Sequence, residues 1–216
     1  MEEKIVAAVS NLNDELTLSL VKESLEQGIP VKTIMKWLNE GMYRIGLMYE
    51  ADDCYIADLI MAGYIYRQVL MLDEMQFDLN GSDESKIIGT ILICTVEGDV
   101  HDIGKDIFIN LAKTEGYRVI DLGVDVHSQI VFDQVLHIKP DILAMSGIIT
   151  NSIKYMKETV DLLKTNFLRH EVKILLGGLS MSDEMCNYIG ADFATTSAEA
   201  GLIKCNEWMK AKYGDQ

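Results

Sequence analysis

The chain has 216 residues, with 34 acidic against 19 basic side chains and a formal charge of −15 at pH 7. That balance excludes a nucleic-acid binder, because a polyanion repels excess negative charge, and 49% hydrophobic with only 25% charged residues excludes a disordered chain. No apolar run approaches the ~18 residues of a membrane span, and the acidic opening Met1-Glu2-Glu3-Lys4 lacks the form of a secretory leader. The expected location is therefore the cytoplasm, with no membrane contact. Cys54, Cys94, Cys186 and Cys205 stand singly, without a C-x-x-C pair, which suits a reducing compartment and suggests neither disulfides nor a zinc knuckle.

Residues 2–10 begin a helical first half. From Asp14, the positions Leu16, Leu18, Leu20, Val21 and Leu25 recur near helical spacing until Gly28-Ile29-Pro30 stops them. A further stripe, Ile34, Met35, Leu38, Met42, Ile45 and Met48, repeats at three and four, while Lys32, Lys36, Glu40 and Arg44 face water. From about Ile56, the residues Leu59, Ile60, Ile65, Val69, Leu70 and Leu72 make a helix apolar on more than one side. Gly63 inside it costs about 1 kcal/mol relative to alanine unless something packs close. Together these segments predict an N-terminal four-helix bundle over residues 1–85.

Residues 78–85 lack periodicity and collect turn formers and charge, so they read as a linker to a second domain, 86–216. Beyond it the strand-like runs Ile87–Val96, Arg118–Leu122, Ile142–Met145, Val172–Leu176 and Ala191–Ala194 alternate with helical patterns near 103–115, 127–138, 151–167, 180–189 and 197–211. This alternation predicts an α/β domain with a five-stranded parallel sheet, Rossmann or flavodoxin-like, and helices on both faces. Ligands of such sheets bind at the carboxyl ends of strands, near the point where strand order reverses. The loops after strands one, three and four are the places to look.

The first of these loops reads Glu97-Gly98-Asp99-Val100-His101-Asp102-Ile103-Gly104-Lys105. It matches neither G-x-G-x-x-G nor the P-loop pattern, and its three carboxylates repel a phosphate. It offers one imidazole, His101, with Asp99 and Asp102 beside it. By residue type, His101 is either a metal ligand whose far nitrogen Asp99 holds, or an exposed or capping histidine. His127, His137 and His170 lack a chelating spacing and read as helix or surface residues.

Taken with the later loops, Asp99-x-His101-x-x-Gly104, then Ser146-Gly147-Ile148, then Gly177-Gly178 resembles the cobalamin-binding signature D-x-H-x-x-G, S-x-L, G-G. Each part sits at the end of an expected strand. The first half, through Glu40–Gly46 and Tyr55–Ala62, is similar to the helical cap before the B12 domain of methionine synthase and of the corrinoid proteins of methyltransferase systems. The resemblance implies a bound cobalamin, methylcobalamin or another corrinoid, with His101 as lower axial ligand of cobalt. Asp99 then holds the other ring nitrogen, and Ser152 ends the relay. It also implies that Gly104, Gly177 and Gly178 leave room for the nucleotide tail, and that Ser146 and Thr150 bind the tail or corrin amides. Asp102, Ile103, Ile148 and Ala198 complete the expected cofactor surroundings, with Tyr49 and Ile56 of the cap over the reactive face.

Departures from the pattern are Ile148 for the leucine of S-x-L, Asn151 where many relatives have proline, and Gly-Gly-Leu for Gly-Gly-Ala. Tyr49 and Ile56 stand where the family usually has phenylalanine and leucine. The implied role is a methyl carrier, served by a substrate-specific methyltransferase, an acceptor methyltransferase using tetrahydrofolate or a thiol, and a reductive activase. A cobalamin-dependent sensor module and an adenosylcobalamin mutase subunit are the alternative roles. Residues 1–86 carry 16 acidic against 7 basic side chains, which gives a solvated acidic face or steers basic partners.

Overall fold

The computed structural model describes residues 1–72, Met75, 87–178 and 181–214, so the linker expected at 78–85 lies outside the described residues. The chain divides into two compact units, residues 1–81 and 82–216. In the first, four described helices follow one another: α1 (Glu2–Ser10), α2 (Asp14–Glu26), α3 (Val31–Glu50) and α4 (Ile56–Leu70). Asn13 caps α2 by accepting from the Leu16 amide. Pro30, with φ −57°, stands just before α3, where a missing N–H costs nothing.

α1 packs on α2 and α3, and α4 packs on α2 and α3. The apolar stripes meet in a core where Ile5, Val9, Val21, Ile34, Met35, Leu38, Ile65 and Val69 are wholly buried. Gly41 lets α3 approach α1 closely, since a Cβ there would lie 2.6 Å from Val9 Cβ and 3.2 Å from the Val6 carbonyl oxygen. Gly41→Ala should therefore overpack the α1–α3 contact and lower stability by about 1–3 kcal/mol, read as a fall in the denaturant midpoint. A midpoint equal to wild type would show that α1 shifts freely.

α4 is apolar on two sides. Ala62, Ile65, Tyr66 and Val69 face the bundle, while Ile56, Ile60 and Tyr64 form an exposed line at successive fours. Tyr49, near the end of α3, is also exposed.

The second unit runs β1 (Thr90–Thr95), α5 (Ile103–Glu115), β2 (Arg118–Asp121), α6 (Ser128–Ile138), β3 (Ile142–Ser146), α7 (Ser152–Thr165), β4 (Lys173–Gly177), α8 (Asp183–Ile189), β5 (Phe193–Thr195) and α9 (Ala198–Tyr213). All strands are parallel, in the order β2-β1-β3-β4-β5. Leu92 and Cys94 of β1 point to one face, with α6, α7 and α8, whereas Ile91 and Ile93 point to the other, with α5 and α9. Parallel strands buried on both faces read as near-continuous apolar runs, which is why the sequence showed them so clearly.

Element ends differ from the sequence pattern where strand pairing, a left-handed residue or a side-chain bond sets the boundary. β1 starts at Thr90, the first residue paired with β2, although the apolar run starts at Ile87. β5 starts at Phe193 because Asp192 turns inward, accepting from the Ile174 amide at 2.8 Å and from Arg169 Nη2 at 2.9 Å. α7 ends at Thr165, ahead of the left-handed Phe167 at φ 61°. α8 begins only after Ser182, whose hydroxyl caps Met185. Among the described residues, no helix is long and apolar enough to cross a membrane.

Candidate cofactor site

Strand order reverses between β1 and β3, whose chains leave the sheet in opposite directions and open a crevice at their carboxyl ends. The loop after β1 begins with a tight turn: the Asp99 amide donates to the Val96 carbonyl at 3.1 Å, and Gly98 takes φ 76°. That left-handed value suits glycine. The turn aims Asp99 into the protein, where it is 1% exposed.

Buried carboxylate needs donors, and Asp99 has five. Its Oδ1 accepts from the His101 amide at 3.0 Å and from the His101 ring at Nδ1, 2.7 Å away. Its Oδ2 accepts from the amides of Ile148 at 2.6 Å and Ile149 at 3.2 Å, and from Ser152 Oγ at 2.8 Å. Burial alone would push the carboxyl up, yet the His101 and Ile148 amides, the His101 ring and the Ser152 hydroxyl outweigh it and hold it well below the usual carboxylate range.

An ionised carboxylate only accepts, so the neutral His101 ring carries its proton on Nδ1 and presents a lone pair on Nε2. The ring is half-exposed, with 54% of its side chain open, so Nε2 is accessible to a ligand. The arrangement is a chain from Ser152, buried at the start of α7, through Asp99 to a surface imidazole.

The loop backbone is held from a second side. The buried Thr95 hydroxyl donates to the His101 carbonyl at 3.2 Å, and the segment before α6 contributes Asp125. The Gly98 amide donates to Asp125 Oδ1 at 2.7 Å, and the Asp125 amide donates to the Asp99 carbonyl at 3.0 Å. Just beyond, Glu97 pairs with His127 at 2.8 Å. Lys105, 4% exposed, reaches Asp121 at 2.6 Å and Asp106 at 3.0 Å, tying α5 to the end of β2.

Other sequence-predicted residues fall around this centre. Asp102 precedes α5, whose first turn holds Ile103 and Gly104. Ser146 ends β3, its carbonyl accepting from Val96, and Thr150 lies exposed in the turn before α7. Ile148 contributes a main-chain amide to Asp99. Gly177 ends β4, and Ala198 starts α9 beside the end of β5. A Cβ at Gly104 or Gly177 would meet nothing within 4 Å, so each borders open space. Gly178 is different: at φ 146°, its Cβ would lie 1.9 Å from the Gly147 carbonyl oxygen. Tyr49 and Ile56 belong to the other unit, where both are exposed.

The sequence reading missed the two amides of Ile148 and Ile149, Thr95 and Asp125. Main-chain donors leave no residue signature. Asp125 had one available signal, an acid among the turn residues that follow β2.

Among the described residues, no group of three or more His, Cys, Asp or Glu could hold a metal ion. One imidazole completes the coordination of a metal that arrives inside its own macrocycle, and does not by itself capture a free ion. The B12 binding domain family matches residues 89–202, and a second B12 binding domain family matches residues 1–72. The chain is a member of the B12-binding corrinoid protein family.

Its cofactor is a cobalamin-type corrinoid, and the residues fit one: a half-exposed, tautomer-fixed imidazole, with Gly104 at the start of α5 and Gly177 at the end of β4 bordering open space. Trimethylamine corrinoid protein 1 of Methanosarcina mazei is 31% identical over 202 residues, covering 91% of this chain and 93% of that protein. The monomethylamine corrinoid protein of Methanosarcina barkeri is 29% identical, covers 94% of this chain and 96% of its own, and superposes with a TM-score of 0.76. A cobalamin-binding protein from Desulfitobacterium hafniense is 32% identical, with coverage of 96% and 98% and a TM-score of 0.62.

Proposed function

We propose that this corrinoid protein is a methyl carrier, receiving a methyl group from a substrate-specific methyltransferase and delivering it to an acceptor methyltransferase with a tetrahydrofolate or thiol substrate. The observation that carries the reading is the Ser152–Asp99–His101 chain, ending in a lone pair on an accessible ring nitrogen. The methylamine named in several relatives makes a methylamine the first donor to try.

When bound, the corrinoid supplies a nucleophilic, methyl-accepting metal centre. His101 Nε2 is the group that would hold that centre. Asp99 fixes the ring's tautomer and orientation and strengthens its basicity, and Ser152 with the Ile148 and Ile149 amides keeps Asp99 charged and in place. Gly104 and Gly177, which border open space, would leave room for the nucleotide tail, and Ser146, Thr150, Asp102, Ile103, Ile148, Gly178 and Ala198 would complete its surroundings. Tyr49 and Ile56, both exposed, are the residues the cap would offer to the reactive face of the cofactor. A reductive activase completes the set of partners.

The cytoplasm is the compartment this reading requires. Burial pushes Cys94 and Cys205 up to about 12, which leaves these thiols inert at neutral pH.

Reconstitution with methylcobalamin tests the ligation. Wild type should show the visible spectrum of a histidine-ligated corrinoid with the nucleotide base displaced, and His101→Ala should lose it. An unchanged spectrum in the variant would reject His101 as axial ligand. Transfer is tested separately, by loading the protein with hydroxocobalamin, reducing the cobalt with a chemical reductant, and following a labelled methyl group from a methylamine onto the protein in the presence of a methylamine methyltransferase.

A further inference from the structure

Asp99 is gripped from two sides. Its carboxylate is held from the β3 side by Ile148, Ile149 and Ser152, while its main chain is held from the β2 side by one residue, Asp125. Asp125 makes two bonds in opposite senses to the main chain of two adjacent residues, Gly98 and Asp99. Its carboxylate accepts the Gly98 amide at 2.7 Å, and its own amide donates to the Asp99 carbonyl at 3.0 Å.

Both bonds depend on a left-handed backbone, since Asp125 has φ 54°. Aspartate and asparagine tolerate that region better than other residues with a Cβ. The neighbours reinforce the position, as the Val126 amide donates to the Thr95 carbonyl at 3.1 Å and Val96 bridges Val126.

We propose that Asp125 is a positioning residue for the cobalt ligand, a two-point clamp that fixes the Gly98–Asp99 backbone so that His101 is presented at one height above the sheet. The proposal rests on His101 being the axial ligand. Without the clamp, Asp99 keeps its partners on the β3 side but its main chain can move relative to β2, carrying the two His101 contacts with it. The physical consequence is a loss of preorganisation: the loop must be ordered at the moment of binding.

Two substitutions isolate the side-chain bond. Asp125→Gly keeps the left-handed backbone and the amide donor but removes the acceptor for Gly98, whereas Asp125→Asn keeps both. Each variant is loaded with methylcobalamin, and corrinoid affinity and the histidine-ligated spectrum are read together. Asp125→Gly should bind about fivefold more weakly, with a smaller histidine-ligated fraction, and Asp125→Asn should return within about twofold of wild type. A second measurement avoids the variants' folding: hydrogen exchange at the Gly98 amide of the ligand-free wild type should be slowed at least about tenfold relative to an unprotected amide.

A wild-type spectrum and affinity in Asp125→Gly, or free exchange at Gly98, would overturn the clamp while leaving the ligand assignment intact. A wild type with no histidine signature would overturn the ligand assignment, and the clamp with it.

Discussion

Asp99→Ala should lower the stability of the ligand-free protein by about 3 kcal/mol or more, measured by urea unfolding at neutral pH. Five donors converge on this carboxylate, and alanine leaves those inside the protein facing an apolar methyl. Asp99→Asn keeps the volume but not the charge. Its amide nitrogen must point either at the His101 pair or at the Ile148, Ile149 and Ser152 donors, setting donor against donor whichever way it turns. Ser152→Ala should cost only about 1 kcal/mol, because the two amides still satisfy Oδ2.

The same site predicts a pH dependence with a definite sign. Because the folded carboxyl titrates below its unfolded value, the unfolded state takes up the proton first as pH falls. Its contribution is therefore complete above about pH 5, declines as pH drops through the unfolded value near 4, and is gone below the lowered folded value. The wild-type advantage over Asp99→Ala should shrink on acidification from pH 5 through pH 3. A difference that stays constant over that interval, or a variant within 1 kcal/mol of wild type at neutral pH, would show that Asp99 is not the anchor of the loop.

The second large effect separates two adjacent glycines. Gly178→Ala places a methyl 1.9 Å from the Gly147 carbonyl oxygen, and its φ of 146° is strained for any side chain. The backbone of β4 must move away from the loop after β3, which leads into Ser152 at the start of α7. Loss of about 3 kcal/mol or failure to fold is the expected result, seen in thermal unfolding of the ligand-free protein.

Gly177→Ala meets nothing within 4 Å, and the ligand-free protein should stay within about 0.5 kcal/mol of wild type. Gly104→Ala, also in open space and within α5, should be neutral or slightly stabilising. If the nucleotide tail passes these positions, corrinoid affinity of both variants falls at least about tenfold although their folds are intact. Full affinity in Gly177→Ala and Gly104→Ala would move the tail elsewhere. Equal stability losses at Gly177 and Gly178 would mean that both glycines serve only the fold.

Much of this protein was legible in its residues. Continuous apolar runs such as Ile91–Cys94 and Leu143–Met145 marked strands buried on both faces, and their alternation with helical patterns fixed the parallel order of elements. Asp99 and His101 were legible as chemistry, being an acid and an imidazole two apart at a strand end. Ser152 was not legible from local pattern. It lies 53 residues from Asp99, and the resemblance to the cobalamin signature suggested the link.

Some features come only with the tertiary structure, because they depend on main-chain groups or on contacts between distant segments. The amides of Ile148 and Ile149 act without regard to side-chain type, so no substitution pattern reveals them. Gly177 and Gly178 are identical letters, yet one borders open space and the other presses on the backbone of Gly147. Asp125 looked like an ordinary turn residue until the sheet brought it against Gly98 and Asp99. Sequence determined the periodicities and the chemical groups, since these are local properties of the chain. The fold alone decided which donors meet Asp99, because parallel pairing of β1 with β3 sets the two loops side by side.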